Sequence, residues 1–271
     1  MTALRISGLT LRIGEAEILR GVDLGLEAGR IQGLAGESGS GKTMTGLAVM
    51  GLLPPRSRVG GSIAFGAREL LALAPKQRND LRGTEIAMVF QDPSTSLHPM
   101  LSVGAQLTDH LRHHLRLDRA AARARAVELL KRVRIPDPVK ALRRFAHQFS
   151  GGQRQRIAIA IALACSPSVL IADEPTTALD VTVQAGVLHL LRDLAREMGL
   201  AVLLVTHDLG VMSAVADQVA VMRDGEVVEN GERRQVFTAP AHPYTASLLA
   251  SLPGAAGGIR SLDDVRALEE L

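Results

Sequence analysis

The sequence predicts an α/β fold with a mainly parallel sheet, an antiparallel β subdomain near its start and an inserted α-helical subdomain. The parallel part rests on a regular alternation of short apolar runs with longer amphipathic stretches in the second half of the chain. Since parallel strands need crossover connections, this alternation predicts a sheet covered by helices on both faces. The alternating segments are strand Val169–Ala172, helix Val181–Met198, strand Ala201–Thr206 and helix Leu209–Ala216.

The antiparallel part is predicted from the first residues of the chain. Residues Leu4–Leu26 alternate apolar and polar positions in short runs, with Gly8, Gly14 and Gly21 between the runs. This pattern is typical of antiparallel strands joined by turns, and we expect Ser62–Phe65 to add to the same sheet. Two short strands, punctuated by Gly225 and Gly231, are expected near the other end.

The helical insertion is predicted over about residues 92–165. A compact strand, Glu85–Phe90, ends at Gln91, and a helical pattern then runs from Ser102 to about Phe145. We expect breaks near Asp118 and at the two prolines 136 and 138. The whole domain is predicted to span residues 1–253, with a short tail over 254–271.

Composition limits the classes of protein that remain. The chain has 271 residues, 46% of them hydrophobic and 22% charged, as in ordinary soluble domains. Its single cysteine, Cys165, excludes an intrachain disulfide framework, and we place it in an apolar helix.

The longest uncharged stretch, Ile157–Ala172, is shorter than the roughly 20 residues that span a bilayer. We therefore expect no transmembrane segment. Because no secretory signal opens the chain, a cytoplasmic location is expected.

Basic residues dominate between His110 and Arg144, although the net charge is only +3. Such a surface could meet nucleic acid or anionic lipid, but the solvated side of amphipathic helices is the favoured interpretation. The chain has no tryptophan and one tyrosine, so it lacks aromatic platforms for stacking bases. No nucleic-acid partner is expected, and the adjacent His113 and His114 are interpreted as solvated rather than as metal ligands.

A glycine-rich loop carries the strongest functional signal. It fits the spacing G-x-x-x-x-G-K-[ST], between an apolar strand at Gly29–Leu34 and a helical stretch at Met44–Leu52. Backbone N–H groups of such a loop cradle phosphates at a helix N-terminus, the lysine reaches the β- and γ-phosphates, and the hydroxyl ligates Mg²⁺. The sequence thus predicts nucleoside triphosphate binding. The loop residues are Gly36, Glu37, Ser38, Gly39, Ser40, Gly41, Lys42 and Thr43.

Two carboxylates follow the apolar strand at residues 169–172. A buried strand delivers Asp173 and Glu174 to its carboxyl end, where open α/β sheets bind ligands. Asp173 suits a Mg²⁺ shell, and Glu174 suits a general base that orients the attacking water.

A second anion-binding pattern lies at a predicted helix start, Ser150-Gly151-Gly152-Gln153. Ser150 is a good N-cap, and the two glycines allow close approach of a phosphate. Since one chain does not need two sites for a γ-phosphate, this pattern either serves the nucleotide of a neighbouring subunit or is an ordinary capped helix.

Together these motifs resemble the ATP-binding subunit of an ABC transporter, over nearly the whole chain. The loop at residues 36–43 matches Walker A, Ser150–Gln153 the signature, and the strand ending at Asp173 Walker B. The resemblance implies a catalytic glutamate at Glu174, a switch histidine at His207 and a D-loop aspartate at Asp180. It also implies ATP and Mg²⁺ as ligands.

Further roles follow from the same resemblance. Gln91 matches the Q-loop glutamine, which contacts Mg²⁺ and the attacking water, so the implied metal set is Thr43, Gln91 and Asp173. Two ATP-binding subunits, identical or not, would close head to tail around two ATP molecules. Two membrane permeases would be driven by this closure, with the ATPase on the cytoplasmic face of the membrane.

Three segments narrow the resemblance to the peptide/nickel import subfamily, in which an external solute-binding protein delivers the cargo. They are the stretches at residues 91–99, 173–180 and His242-Pro243-Tyr244-Thr245. Where many relatives stack an aromatic residue on adenine, this chain has Ile13. The rival hypothesis is a soluble ABC-type ATPase acting on DNA or ribosomes. The motifs leave open the solute and the identity of the second ATPase.

Overall fold

The computed structural model describes residues 2–92, 96–177 and 179–251. The proposed tail at 254–271, residues 93–95 of the segment after Gln91 and residue 178 of the D-loop lie outside these ranges, and the domain limits stay a prediction. The strands are β1 (Thr2–Ile13), β2 (Ala16–Glu27), β3 (Ile31–Ala35), β4 (Ser57–Phe65), β5 (Arg68–Glu69), β6 (Ile86–Val89), β7 (Val169–Asp173), β8 (Ala201–Val205), β9 (Gln218–Arg223) and β10 (Glu226–Glu232).

Helices fill most of the connections between these strands. Short 3₁₀ turns at Leu70–Ala72 and Ala146–Gln148 complete the regular structure of the described ranges. The α-helices are α1 (Lys42–Met50), α2 (Pro75–Leu81), α3 (Val103–Leu115), α4 (Arg119–Arg132), α5 (Pro138–Ala141), α6 (Gly151–Ala162), α7 (Val181–Met198), α8 (Leu209–Val215), α9 (Arg233–Thr238) and α10 (Pro243–Ala250).

Two sheets organise the described residues and confirm the predicted fold class. The larger sheet has six strands in the order β10-β9-β3-β8-β7-β6; four of its five pairings are parallel, and the terminal β9–β10 pair is antiparallel. The smaller sheet has four strands in the order β2-β1-β4-β5, all antiparallel. The expected addition of residues 62–65 to the N-terminal sheet is confirmed, as part of β4.

The core lies on both faces of the larger sheet. Successive side chains of a strand point to opposite faces, so Leu170 joins one apolar cluster and Ile171 the other. The cluster of Leu170 includes the buried faces of α3, α4, α6 and α7. The cluster of Ile171 includes α1 and the antiparallel sheet. Helices α3, α4, α6 and α7 therefore cover one face of the larger sheet, and the smaller sheet together with α1 covers the other.

Three local predictions were wrong. Gly8 and Gly21 do not separate short strands but lie inside the long strands β1 and β2, where the β1–β2 register shifts and both glycines have positive φ. The N–H of Gly8 donates to the Asp23 carboxylate at 2.9 Å, which satisfies the bulged backbone. Gly231 lies within β10 rather than at its end. Cys165 follows α6 in a turn instead of lying in the helix, and it is partly buried.

Candidate functional site

The glycine-rich loop connects β3 to α1 through three glycines that no other residue could replace without strain. Gly36, Gly39 and Gly41 have φ of 148°, 85° and 105°. A Cβ on Gly36 would lie 2.1 Å from the carbonyl oxygen of Met222, and one on Gly41 would lie 2.7 Å from Leu19 Cδ2. The loop is therefore packed between the end of β9 and the N-terminal hairpin, with α1 beginning at Lys42.

The side chain of Lys42 folds over this loop. Its Nζ donates to the carbonyl of Gly36 at 2.7 Å and to that of Glu37 at 2.8 Å, and the residue is only 6% exposed. Burial lowers the pKa of the ammonium group, and the carboxylates of Glu174, Asp173 and Glu37 oppose that shift. An ammonium has three donors, so the two carbonyls leave one N–H for a phosphate oxygen.

Thr43 and Asp173 meet at the carboxyl end of β7. The Thr43 hydroxyl donates to Asp173 Oδ1 at 3.1 Å across 130 residues of sequence, and Asp173 is 5% exposed. Burial raises the pKa of the Asp173 carboxyl, the hydrogen bond from Thr43 opposes this, and the charge of Glu174 adds to it. A cation beside the carboxylate would offset its cost of burial.

These two oxygens fit a magnesium ion. Among the described residues no group of three or more His, Cys, Asp or Glu side chains could hold a metal. A set of one hydroxyl and one carboxylate suits Mg²⁺, because this ion keeps several waters and takes further oxygens from substrate phosphates.

Glu174 and His207 form a hydrogen-bonded pair at the same edge. Oε1 of Glu174 lies 2.7 Å from Nδ1 of His207 and accepts the main-chain N–H of His207 at 3.2 Å. The tautomer with its proton on Nδ1 would donate to this carboxylate and leave Nε2 available. The side chain of His207 is 63% exposed, whereas that of Glu174 is 13% exposed.

The backbone of Glu174 turns its carboxylate into this position. The residue has a φ of 49°, and its N–H donates to the Val205 carbonyl at 2.8 Å. A second neighbour, Thr177, donates from its hydroxyl to Glu174 Oε2 at 2.9 Å. Sequence reasoning assigned no role to Thr177; its position three residues after the glutamate was the available signal.

Gln91 lies at the same edge of the sheet. Val89 of β6 pairs with Ala172 of β7, so the chain carries Gln91 past the edge where Asp173 and Glu174 emerge. The residue is exposed there. The β1–β2 hairpin, which carries Ile13, lies against the glycine-rich loop, because its residue Leu19 packs at Gly41.

The signature residues form a separate group. Ser150 Oγ accepts from the Gln153 N–H at 3.3 Å, and Gln153 Oε1 accepts from the Ser150 N–H at 3.2 Å, which caps α6. A Cβ on Gly152 would lie 2.2 Å from Val183 Cγ1. Asp180 caps α7 by accepting from the Val183 N–H at 3.0 Å. Over residues 2–92, 96–177 and 179–251, no hydrogen bond joins Ser150–Gln153 to the glycine-rich loop.

Comparisons with known proteins agree with this arrangement. Residues 19–177 match the family model described as ABC transporter. The oligopeptide transport ATP-binding protein OppD of Bacillus subtilis is 50% identical over 89% of this chain and 68% of its own length. The dipeptide transport ATP-binding protein DppD of the same organism is 48% identical over 89% of this chain and 72% of its own.

Solved structures share the fold. The cbiO1 component of the ABC transporter complex cbiONQ from Clostridium perfringens superposes with a TM-score of 0.78 at 29% identity, covering 88% of this chain and 91% of that one. The ATP-binding cassette MJ0796, solved as a post-hydrolysis dimer with ADP and phosphate, has a TM-score of 0.74 at 30% identity, covering 85% and 99%.

No helix in the described ranges is long and apolar enough to span a membrane. The geometry of the glycine-rich loop and the two carboxylates at the end of β7 agree with these matches. The chain therefore belongs to the ABC transporter family, among its ATP-binding proteins.

Proposed function

We propose that this chain is the ATP-binding and ATP-hydrolysing subunit of an importer for peptides, nickel or a related small solute. The observation that carries the proposal is the convergence of Lys42, the Thr43–Asp173 pair and the Glu174–His207 pair at one sheet edge. The match to oligopeptide and dipeptide transport ATP-binding proteins supports peptides as the first solute class to test.

The loop residues 36–43 bind the triphosphate through backbone N–H groups and the remaining donor of Lys42. Thr43, Asp173 and Gln91 are the residues that would hold Mg²⁺, which would neutralise the negative charge of the phosphates. The direct contact of Thr43 with Asp173 supports the first two ligands, and the edge position of Gln91 supports the third.

Glu174 is the general base in this proposal. It orients a water whose oxygen bonds to the γ-phosphorus as the bond from that phosphorus to the β–γ bridging oxygen breaks, and it accepts the water's proton. His207 holds the carboxylate through Nδ1 and turns Nε2 toward the γ-phosphate. The hydrogen bonds from Thr177 and from His207 support this role because they fix both carboxylate oxygens.

A second ATP-binding subunit completes the site. Its signature residues, the counterparts of Ser150–Gln153, close on the nucleotide held by this chain, and Asp180 lies beside this interface. The dimeric state of the cassette MJ0796 supports such pairing. The second subunit is a non-identical ATPase or another copy of this chain.

Two membrane permeases are the remaining partners, with this chain bound peripherally on the cytoplasmic face of the membrane and a solute-binding protein on the other side. A groove of about 440 Å³ supports a docking surface beside Gln91; Leu52 and Phe90, 40% and 41% exposed, contribute apolar surface to it. ATP-driven closure and hydrolytic reopening would switch the permeases between two access states.

The chemical part is tested with Glu174→Gln. We expect ATP binding to persist while hydrolysis falls by at least about 10²-fold, since the base is lost but the loop is intact. The control is Glu197→Gln, an exposed glutamate at the end of α7. Hydrolysis at the wild-type rate in Glu174→Gln would remove Glu174 from its role.

The transport part is tested by affinity purification of the chain from its native cells in mild detergent. Two polytopic membrane proteins and an ATP-binding subunit are expected to copurify. Recovery of ribosomal or DNA-associated proteins without any membrane protein would contradict the importer and favour the soluble alternative.

A further inference from the structure

The motif His242-Pro243-Tyr244-Thr245 has no role in the chemistry above, yet the fold fixes it firmly. It begins α10, where His242 Nδ1 accepts from the Tyr244 N–H at 3.1 Å. The carboxylate of Glu229, on β10, accepts the N–H groups of Ala241 at 2.8 Å and His242 at 3.1 Å. The start of α10 is therefore anchored to the edge strand of the larger sheet.

This anchoring places the ring of Tyr244 beside the glycine-rich loop. The guanidinium of Arg223 lies 4.8 Å from the ring centroid. Arg223 ends β9, directly after Met222, whose carbonyl occupies the space where Gly36 would carry a Cβ. One strand end thus contacts both the tyrosine and the first residue of the loop.

The hydroxyl of Tyr244 is buried and has no hydrogen-bond partner among the described residues. Burial raises the pKa of the phenol, and the main chain of Glu37 lowers it while the Glu37 carboxylate raises it. Glu37 therefore lies near the hydroxyl, as does Arg223, whose guanidinium is on the ring. A buried, unpaired hydroxyl is costly, and the main chain of Glu37 is a neighbouring group that could satisfy it.

Glu37 is also where Lys42 is held. The ammonium donates to the carbonyls of Gly36 and Glu37, so any shift of this peptide segment moves the charge that meets the phosphates. We propose that Tyr244 is a positioning residue of the nucleotide site: its hydroxyl pairs with the Glu37 main chain when nucleotide binds, and so fixes the carbonyls that hold Lys42. This inference rests on the proposed binding of ATP at the loop.

The chain provides its own probe, because it contains one tyrosine and no tryptophan. All intrinsic emission above the phenylalanine range comes from Tyr244. We expect MgATP to change the tyrosine emission of the full-length wild-type chain, with a midpoint equal to the dissociation constant from equilibrium dialysis. The response should be absent in Lys42→Ala at concentrations that saturate the wild type.

The decisive variant is Tyr244→Phe, which keeps the ring on Arg223 and removes the hydroxyl. Losing one hydrogen bond of ordinary strength should raise the dissociation constant for MgATP about two- to tenfold. Ser247→Ala, a small polar deletion at an exposed position of the same helix, serves as control and should leave the constant unchanged. Urea unfolding of both variants separates a loss of affinity from a loss of folded protein.

Each failure has its own signature. If dialysis shows no nucleotide binding by the wild type, the proposed function fails and this inference with it. If nucleotide binds but the tyrosine emission does not respond, or Tyr244→Phe binds MgATP as tightly as the wild type, the positioning role is overturned while the ATP site stands. If Tyr244→Phe does not fold, the emission of the wild type alone decides.

Discussion

Two regions of this molecule carry the predicted ATP chemistry, and they are built differently. The first, called here the catalytic edge, consists of the loop 36–43 with Asp173, Glu174 and His207. Its side chains bond across distant parts of the chain, over 130 residues for Thr43–Asp173 and 33 for Glu174–His207. The second, the signature end, consists of Ser150–Gln153 with Asp180, and its side-chain hydrogen bonds span only three residues.

The difference indicates which parts one chain can complete alone. At the catalytic edge the parallel sheet brings strand ends together, so contacts within one chain orient the proposed metal ligands Thr43 and Asp173 and the proposed base Glu174. At the signature end the polar side chains cap the starts of their own helices, and over the described ranges no hydrogen bond joins them to the catalytic edge. This difference supports the proposal that a nucleotide site assembled from both regions takes them from two subunits.

The variants Lys42→Ala and Ser150→Arg test the difference between the two regions and should give the largest effects. Lys42→Ala removes a charge-assisted contact of about 1.5–3 kcal/mol, so the isolated chain should bind ATP about 10- to 150-fold more weakly. Ser150→Arg should leave the affinity of the isolated chain nearly unchanged and should lower hydrolysis by the assembled transporter about a hundredfold. Equilibrium dialysis and phosphate release measure the two effects.

One result would contradict the distinction between the two regions. If Ser150→Arg weakened ATP binding by the isolated chain as much as Lys42→Ala does, both regions would serve the same nucleotide within one chain. Ser166→Arg, at a surface turn after α6, controls for the added charge and should change neither quantity.

A smaller effect is expected where the signature end packs on α7. A Cβ at Gly152 would lie 2.2 Å from Val183, whereas one at Gly151 would lie 3.2 Å from Leu179. Gly152→Ala should therefore lower the free energy of unfolding by about 1–3 kcal/mol through overpacking, and Gly151→Ala by less. Urea titration of the two variants measures this difference. Equal losses in the free energy of unfolding would mean that the conformation at the start of α6, and not the contact with α7, makes alanine unfavourable at both positions.

Much of the fold followed from the sequence because local patterns and long-range packing agree there. The helix at Val181–Met198 has its predicted bounds, and the break near Asp118 is the N-cap of α4. The long strands β1 and β2 did not follow, because a bulge at Gly8 depends on Asp23, a partner 15 residues away. The amino-acid sequence alone does not distinguish a glycine that permits a bulge from a glycine that ends a strand.

The site divides in the same way. Motif spacing named Thr43, the end of a buried strand named Asp173 and Glu174, and the resemblance to the ABC family named His207. The positive φ of Glu174 and the hydrogen bond from Thr177 were not predictable, since both depend on how the chain turns after β7. The catalytic roles of Thr43, Asp173, Glu174 and His207 are predictions that the variants test.

The smallest effect is expected at the contact between the helical part and the core, where His110 of α3 faces Gly83. Its Nε2 is buried with no hydrogen-bond partner among the described residues, and burial, helped by the nearby His114, lowers its pKa. The unfolded chain then binds the proton more readily than the folded one, so stability is lost as pH falls below the unfolded value of about 6.5. His110→Gln should reduce this loss between pH 7.5 and 5.5, whereas His189→Gln, at an exposed position of α7, should retain it. Urea titrations at both pH values measure the difference. An unchanged pH dependence in His110→Gln would show that the acid sensitivity arises at another site and not at this contact.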